Sequence, residues 1–102
     1  MKTRVRVGTQ VDEFLATLAP QPRRILRQAL KKLADDEGDT RQLEGKLAGM
    51  HRLRVGRMRI VYEIRAVKGE RLINCFYANY RSVIYSLLEQ LLASGMLEDI
   101  KN

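Results

Sequence analysis

His51-Arg52-Leu53-Arg54-Val55-Gly56-Arg57-Met58-Arg59-Ile60-Val61-Tyr62-Glu63-Ile64 is the stretch on which the reading of the fold turns. Apolar and charged residues alternate on both sides of Gly56, and a period of two marks strands with one buried face. The pattern predicts a strand over His51 to Val55, a turn around Gly56 and a second strand over Met58 to Ala66. Successive side chains on a strand point to opposite faces. His51, Leu53 and Val55 therefore join Met58, Ile60, Tyr62 and Ile64 on a core-facing side, while Arg52 and Arg54 join Arg57, Arg59, Val61 and Glu63 on the other. Arginines on neighbouring strands repel one another, so such a face implies an anion that offsets the repulsion. Guanidinium groups match phosphate through forked hydrogen bonds.

Working outward, Lys68-Gly69-Glu70 marks a turn into a third strand over Leu72 to Ala78, completing an antiparallel meander. Beyond it, Val83, Ile84, Leu87, Leu88, Leu91 and Leu92 form the apolar stripe of a C-terminal helix, and 93–102 reads as a flexible tail. Arg81 and Tyr85 lie four apart, one above the other near that helix's N-terminus, where unpaired backbone N–H groups favour an anion. On the other side, Asp39 to Gly49 reads as a glycine-containing loop without periodicity. Before it, Val11, Phe14, Leu15 and Leu18 define one helix, with Thr9 as its expected cap and Asp12 completing a capping box. Leu26, Ala29, Leu30 and Leu33 define a second, which starts in Pro20-Gln21-Pro22 because proline is tolerated in a first turn. Lys2 to Gly8 alternates as a short strand. The order β-α-α-β-β-β-α predicts an α+β fold: the helices pack on one sheet face and leave the other open to a ligand.

The chain has 102 residues, enough for a single domain over 1–102. Lysine and arginine number 19 against 12 acids, a formal charge of +7. Lys46, Arg52, Arg54, Arg57 and Arg59 lie between Gly45 and Tyr62 without one acid among them, a field that attracts polyanions. No apolar run is long enough for a membrane span or a signal peptide, so no membrane role and a cytoplasmic location are expected. One histidine and one cysteine leave no metal-ligand set, no Ser-His-acid or Cys-His arrangement and no cofactor motif. His51 and Cys75 both read as packed residues.

Leu43-Glu44-Gly45-Lys46-Leu47, the block Arg52 to Ile64, and Tyr80-Arg81 with Tyr85 opening a helix together resemble the RelE/ParE toxin superfamily over nearly the whole chain. The resemblance implies the toxin of a type II toxin-antitoxin system, restrained by a cognate protein antitoxin and meeting DNA only through it. Its RelE-like branch is a metal-independent, ribosome-dependent mRNA endonuclease, an mRNA interferase that cuts in the ribosomal A site by attack of a 2′-hydroxyl on the adjacent phosphate. By matching positions, Arg52, Arg54, Arg59, Arg81 and Tyr85 are the expected catalytic residues, with Lys46, Arg57 and Tyr80 as RNA contacts. Two positions depart from the pattern. Arg52 and Arg54 stand where a well-known subgroup has lysine, and Tyr80 where many relatives have histidine. The general base is open between Glu63 and groups of the RNA and ribosome. The competing reading is a ParE-like inhibitor of DNA gyrase without nuclease activity.

Overall fold

The computed structural model describes residues 2–94; the predicted tail lies outside the described residues except for Ala93 and Ser94. Its elements are β1 (Thr3–Val7), α1 (Thr9–Thr17), α2 (Pro20–Lys32), β2 (Asp39–Gln42), β3 (His51–Val55), β4 (Met58–Val67), β5 (Glu70–Tyr80) and α3 (Arg81–Ala93). Among the described residues the strands form one sheet in the order β1-β5-β4-β3-β2. β1 runs parallel to β5, and all other neighbours are antiparallel. The α+β class and the predicted order hold, with one strand added. Asp39–Gln42, read as loop, pairs with β3 as an edge strand whose four residues are all exposed. It has no apolar alternation because it buries no side chain.

The turns follow backbone chemistry. Gly56 divides β3 from β4 with φ +60°, a left-handed conformation that costs glycine little. Lys68 and Gly69 both have positive φ at the β4–β5 hairpin, as the two-residue turns that match strand twist require. The N-cap of α1 lies one residue before the expected Thr9: it is Gly8, and no side chain caps the helix. Gly8 N–H donates to the Cys75 carbonyl at 2.8 Å and its own carbonyl accepts from Asp12 N–H at 3.1 Å, so docking on β5 sets the helix start. The C-terminus of α1 is closed from α2. The Arg23 guanidinium donates to the carbonyl of Leu18 at 2.7 Å and to that of Leu15 at 3.0 Å, the latter also accepting from Leu18 N–H at 3.1 Å.

β4 and β5 pair along almost their full length, but the register slips between Val61, opposite Tyr77, and Tyr62, opposite Cys75. Phe76 is the extra residue of this β-bulge. Ile73, Cys75 and Ala78 consequently face one core with Leu53, Ile60 and Tyr62, covered by Val11, Leu15, Leu26 and Leu30 of α1 and α2. Phe76 and Tyr77 face the other side, where they meet Val61, Met50 and the α3 residues Ile84 and Leu88 in a second, smaller core. The expectation that all helices share one sheet face is therefore corrected. The bulge and Val61 create an apolar patch on the second face, and α3 is the element that covers it. Ile64, expected in the core, is 42% exposed: β3 starts at His51, opposite Tyr62, and does not extend alongside Ile64. Cys75 is fully buried, and burial pushes its thiol up to about 12, so it stays a protonated hydrophobe at neutral pH.

Gln10 holds β5 where β1 has ended. Its amide donates from Nε2 to the Ala78 carbonyl at 2.7 Å and accepts from Ala78 N–H at 2.6 Å, completing the sheet edge as a strand residue would. Replacing it by leucine strands both backbone groups, each of which costs about 1–3 kcal/mol when left unmade. Gln10→Leu is expected to lower unfolding stability by about 2 kcal/mol in urea titrations, with Gln21→Leu, on an exposed position of α2, within about 0.5 kcal/mol of the parent.

Candidate anion-binding site

The cationic face is built at the end of the sheet next to the β3–β4 turn. Arg54 and Arg59 are direct cross-strand partners, and Arg52 lies opposite Val61, so the predicted convergence of these three side chains is present. The arginines share their sheet face with Val61, and hence with α3. The N-terminus of α3 closes on the turn through Arg81 N–H, which donates to the Arg57 carbonyl at 2.9 Å. That bond consumes one of the terminal N–H groups the helix could offer an anion. It also places Arg81 beside Arg57.

A groove of about 770 Å³ results, lined by Gly56, Arg57, Arg59, Tyr80, Arg81 and Ser82. Four of the predicted residues, Arg57, Arg59, Tyr80 and Arg81, therefore meet in one place. Arg52 and Tyr85 line a neighbouring hollow of about 920 Å³ together with Arg41. Lys46 is exposed on a 3₁₀ turn and lines neither. Tyr80 is 44% exposed, with its ring edge-on to Phe14 at 5.3 Å between centroids. Tyr85 is half-buried against the α3 core and close enough to Arg59 to bear on its charge, so it is both a core-edge aromatic and part of the site.

Arg59 is the fixed centre of this field. It is only 6% exposed, and its Nη1 donates to the carbonyls of Gly56 at 2.8 Å and Met58 at 2.9 Å. Burial lowers its pKa; the nearby charges of Arg52, Arg54 and Arg81 push the same way, while Tyr85 opposes them. A guanidinium starts so high that it stays protonated throughout the physiological range. The site thus holds a charge that is costly to bury and cannot be shed.

Sequence reasoning missed the acid that relieves part of this cost. Asp39, on β2, stands opposite Arg54 in register. Its Oδ2 accepts from Arg54 Nε at 2.6 Å and its Oδ1 from Arg52 Nη1 at 3.3 Å, while its carbonyl accepts from the same Nη1 at 3.1 Å. Partial desolvation works against its ionisation, but Arg54 and Arg52 together outweigh this and hold the carboxyl below its ordinary value. Arg41, opposite Arg52 on the same strand, adds a cation that was also missed. Neither residue carried a signal while 39–49 read as loop.

The two other residues weighed for chemistry are engaged elsewhere. Glu63 shares the arginine face but lies four residues, about 13 Å, along β4 from Arg59. It is buried, paired with Arg65 Nε at 2.9 Å and accepting from Asn74 Nδ2 at 3.2 Å. His51 stacks on Tyr62, its cross-strand partner, with centroids 5.2 Å apart, as a packed histidine should. No group of three metal-ligating side chains occurs among the described residues, and none of their helices is long and apolar enough to cross a membrane.

With the fold and the face in hand, the chain has the architecture of the RelE/ParE toxins. It is similar to solved chains from the RelBE2 toxin-antitoxin complex of Mycobacterium tuberculosis, with a TM-score of 0.65 at 22% identity, covering 79% of this chain and all of that one. It is similar also to one from the archaeal RelE-RelB complex of Pyrococcus horikoshii OT3 (0.60, 23%, covering 81% and 99%). A YoeB/ParE toxin from Agrobacterium tumefaciens matches at 0.58 and 18%, covering 79% and 99%. No protein-family model and no curated protein matches the sequence. The resemblance read from the middle block is borne out in the fold, over about four-fifths of the chain.

A lowered carboxyl pKa stabilises the fold above the ordinary carboxylate range and ceases to do so as pH falls through the folded value. The Asp39 contribution should therefore be complete at neutral pH, begin to fall near pH 4 and be lost as pH drops through the lowered folded value. Urea midpoints of the parent and of Asp39→Asn, measured from neutral to acid pH, are expected to differ at pH 7 and converge as pH drops through that folded value; a constant gap would assign the difference to something other than the ion pairs.

Proposed function

We propose that this chain is the toxin of a type II toxin-antitoxin pair and acts as a metal-independent endoribonuclease on mRNA in the ribosomal A site. The observation that carries the proposal is the convergence of Arg57, Arg59, Tyr80 and Arg81 on one groove, with Arg52 and Tyr85 beside it, on a fold shared with chains from RelBE2 and RelE-RelB complexes. In the proposed reaction a ribose 2′-hydroxyl attacks the adjacent phosphorus, the P–O5′ bond breaks, and a 2′,3′-cyclic phosphate and a 5′-hydroxyl result. Negative charge grows on the equatorial oxygens and on the leaving oxygen. Arginines already fixed in place stabilise that charge without reorganising. Arg59 is the most rigid of them, since its two backbone bonds hold it at the floor of the groove. Arg81 opens α3 at the rim, Arg57 and Lys46 extend the contact to the RNA backbone, and Tyr80 offers an exposed ring to a base.

A cytoplasmic location follows from the ribosomal substrate. The partner in the resting state is a cognate antitoxin, because the neighbouring folds were solved in toxin-antitoxin complexes. DNA enters only through that antitoxin. No cofactor is part of the proposal.

One observation favours a second reading. Glu63, the one side chain weighed as a general base, is paired with Arg65 away from the groove, and Arg52 and Arg54 are ion-paired with Asp39. A face that attracts polyanions but moves no proton would suit a ParE-like inhibitor of DNA gyrase.

Primer extension on a defined mRNA, with and without translating ribosomes, separates the two. New 5′ ends within codons, dependent on ribosomes and reduced about 10²-fold or more in Arg81→Ala, are expected for the nuclease. Intact mRNA from a folded chain that arrests growth and induces the response to DNA damage would replace that reading with gyrase inhibition.

A further inference from the structure

We propose that Asp39 is an internal competitor for the phosphates that Arg52 and Arg54 bind, so that RNA must displace this carboxylate before the two arginines engage it. The inference rests on the reading of the arginine face as an RNA site and concerns how that site is regulated.

The geometry is that of a ligand. One carboxylate bridges two guanidinium groups, Oδ2 on Arg54 Nε at 2.6 Å and Oδ1 on Arg52 Nη1 at 3.3 Å, as a phosphate oxygen pair would. Asp39 also accepts from Arg52 through its backbone carbonyl at 3.1 Å. One nitrogen of each guanidinium, Nη1 of Arg52 and Nε of Arg54, is thus already engaged by Asp39. The arrangement is not adventitious, because the β2–β3 register sets Asp39 directly opposite Arg54.

The pairing is built to be broken. The Asp39 side chain is 45% exposed and that of Arg54 55%, so both stay solvated when the carboxylate turns away; Arg52, 12% exposed, keeps the Asp39 carbonyl and gains a phosphate in exchange for the carboxylate. Exposed ion pairs are weak and screened by salt. Arg59, Arg57 and Arg81 are not neutralised by Asp39 and bear on an incoming anion from the adjoining groove. A strand that lays one phosphate in that groove can offer the next to Arg52 and Arg54 at a high effective concentration. An isolated small anion lacks this advantage. Asp39 therefore lowers affinity for all anions but penalises single ones most, a filter that favours a polyanionic chain.

A purely structural Asp39 would instead hold β2 on β3 and relieve repulsion among Arg52, Arg54 and Arg59. The two roles predict opposite effects of removing it. Fluorescence anisotropy of the full chain with a short 2′-O-methyl oligouridylate reports binding without cleavage, since the attacking hydroxyl is blocked. Salt is varied from about 50 to 200 mM, because each phosphate neutralised on a single strand adds about 0.7 to the slope of log affinity against log salt. Asp39→Asn is expected to bind several-fold more tightly at the low end and to steepen the slope by about 0.7 to 1.4, corresponding to one or two recovered contacts. Asp39→Ser should give the same gain with a smaller side chain. Glu13→Gln, which removes the same charge from an exposed position on α1, should leave the slope unchanged. The gain should also disappear in an Arg52→Ala/Arg54→Ala background.

If both Asp39 variants match Glu13→Gln or bind more weakly, while Arg52→Ala/Arg54→Ala loses affinity, the competitor role is overturned and the RNA face stands. If Arg52→Ala/Arg54→Ala binds like the parent, the assignment of these arginines to RNA fails and the competitor role fails with it.

Discussion

The pairing of β4 with β5 is the constraint from which the rest of the molecule follows. It joins the two longest strands, and the extra residue at Phe76 lets one strand feed two cores. On one side Ile73, Cys75 and Ala78 hold α1 and α2. On the other, Phe76 and Tyr77 complete with Val61 an apolar patch too small to stand alone in water. α3 must cover that patch, and because β5 ends at Tyr80 and α3 starts at Arg81, the helix can only turn back beside the β3–β4 turn. The position of Arg81 near Arg57 is thus a consequence of where a bulge falls several residues earlier. Hydrophobic burial assembles a set of cations that electrostatics alone would disperse.

That assembly has a cost visible in the structure. Arg54 and Arg59 face each other across the sheet, Arg41 and Arg52 do the same one step along β3, and Arg59 is withdrawn from water. Like charges in direct register destabilise a sheet, and desolvation raises the penalty. The protein offsets it unevenly. Arg59 has two backbone carbonyls on Nη1, which accept hydrogen bonds but leave its charge, while Arg52 and Arg54 share one carboxylate, which offsets one charge of the two. The face is consequently graded: Arg57, Arg59 and Arg81 have no share in this carboxylate, while toward β2 Asp39 offsets part of the charge of Arg41, Arg52 and Arg54. A ligand meets the unbalanced end first.

Much of this was legible in the chain because it depends on alternation. His51 to Ile64 specified two strands, their turn and the side each arginine takes, and the stripes of α1 and α2 specified what covers the opposite face. What escaped depends on partners and not on local pattern. β2 is a strand because β3 offers it hydrogen bonds; Asp39-Thr40-Arg41-Gln42 has no apolar period that could announce it, and with β2 went Asp39 and Arg41. The bulge at Phe76 exists only relative to the register of β4, so the division into two cores and the side taken by α3 could not be read from either strand alone. Thr9 looked like a cap because its sequence neighbours permit one, yet Gly8 docks on Cys75 and starts the helix without it. Ile64 fits the core period but lies past the end of β3, so one flank of it stays open.

The composition of the face also bears on what kind of catalyst it can be. Of Arg52, Arg54, Arg59, Arg81 and Tyr85, the arginines hold their protons too firmly to exchange them at physiological pH, and Tyr85 alone has a hydroxyl proton to give. Such a set can orient a phosphate and stabilise charge on it, contributions that account for a large part of many rate enhancements. It is poorly equipped to take the proton from an attacking 2′-hydroxyl. On the nuclease reading, that missing function would come from outside the chain, through a group of the RNA or ribosome brought against the groove when the substrate is in place. Dependence on the ribosome would then be chemical as well as positional. On the same reading, the lack of a resident base would keep encounters of the cationic groove with other RNA from ending in cleavage.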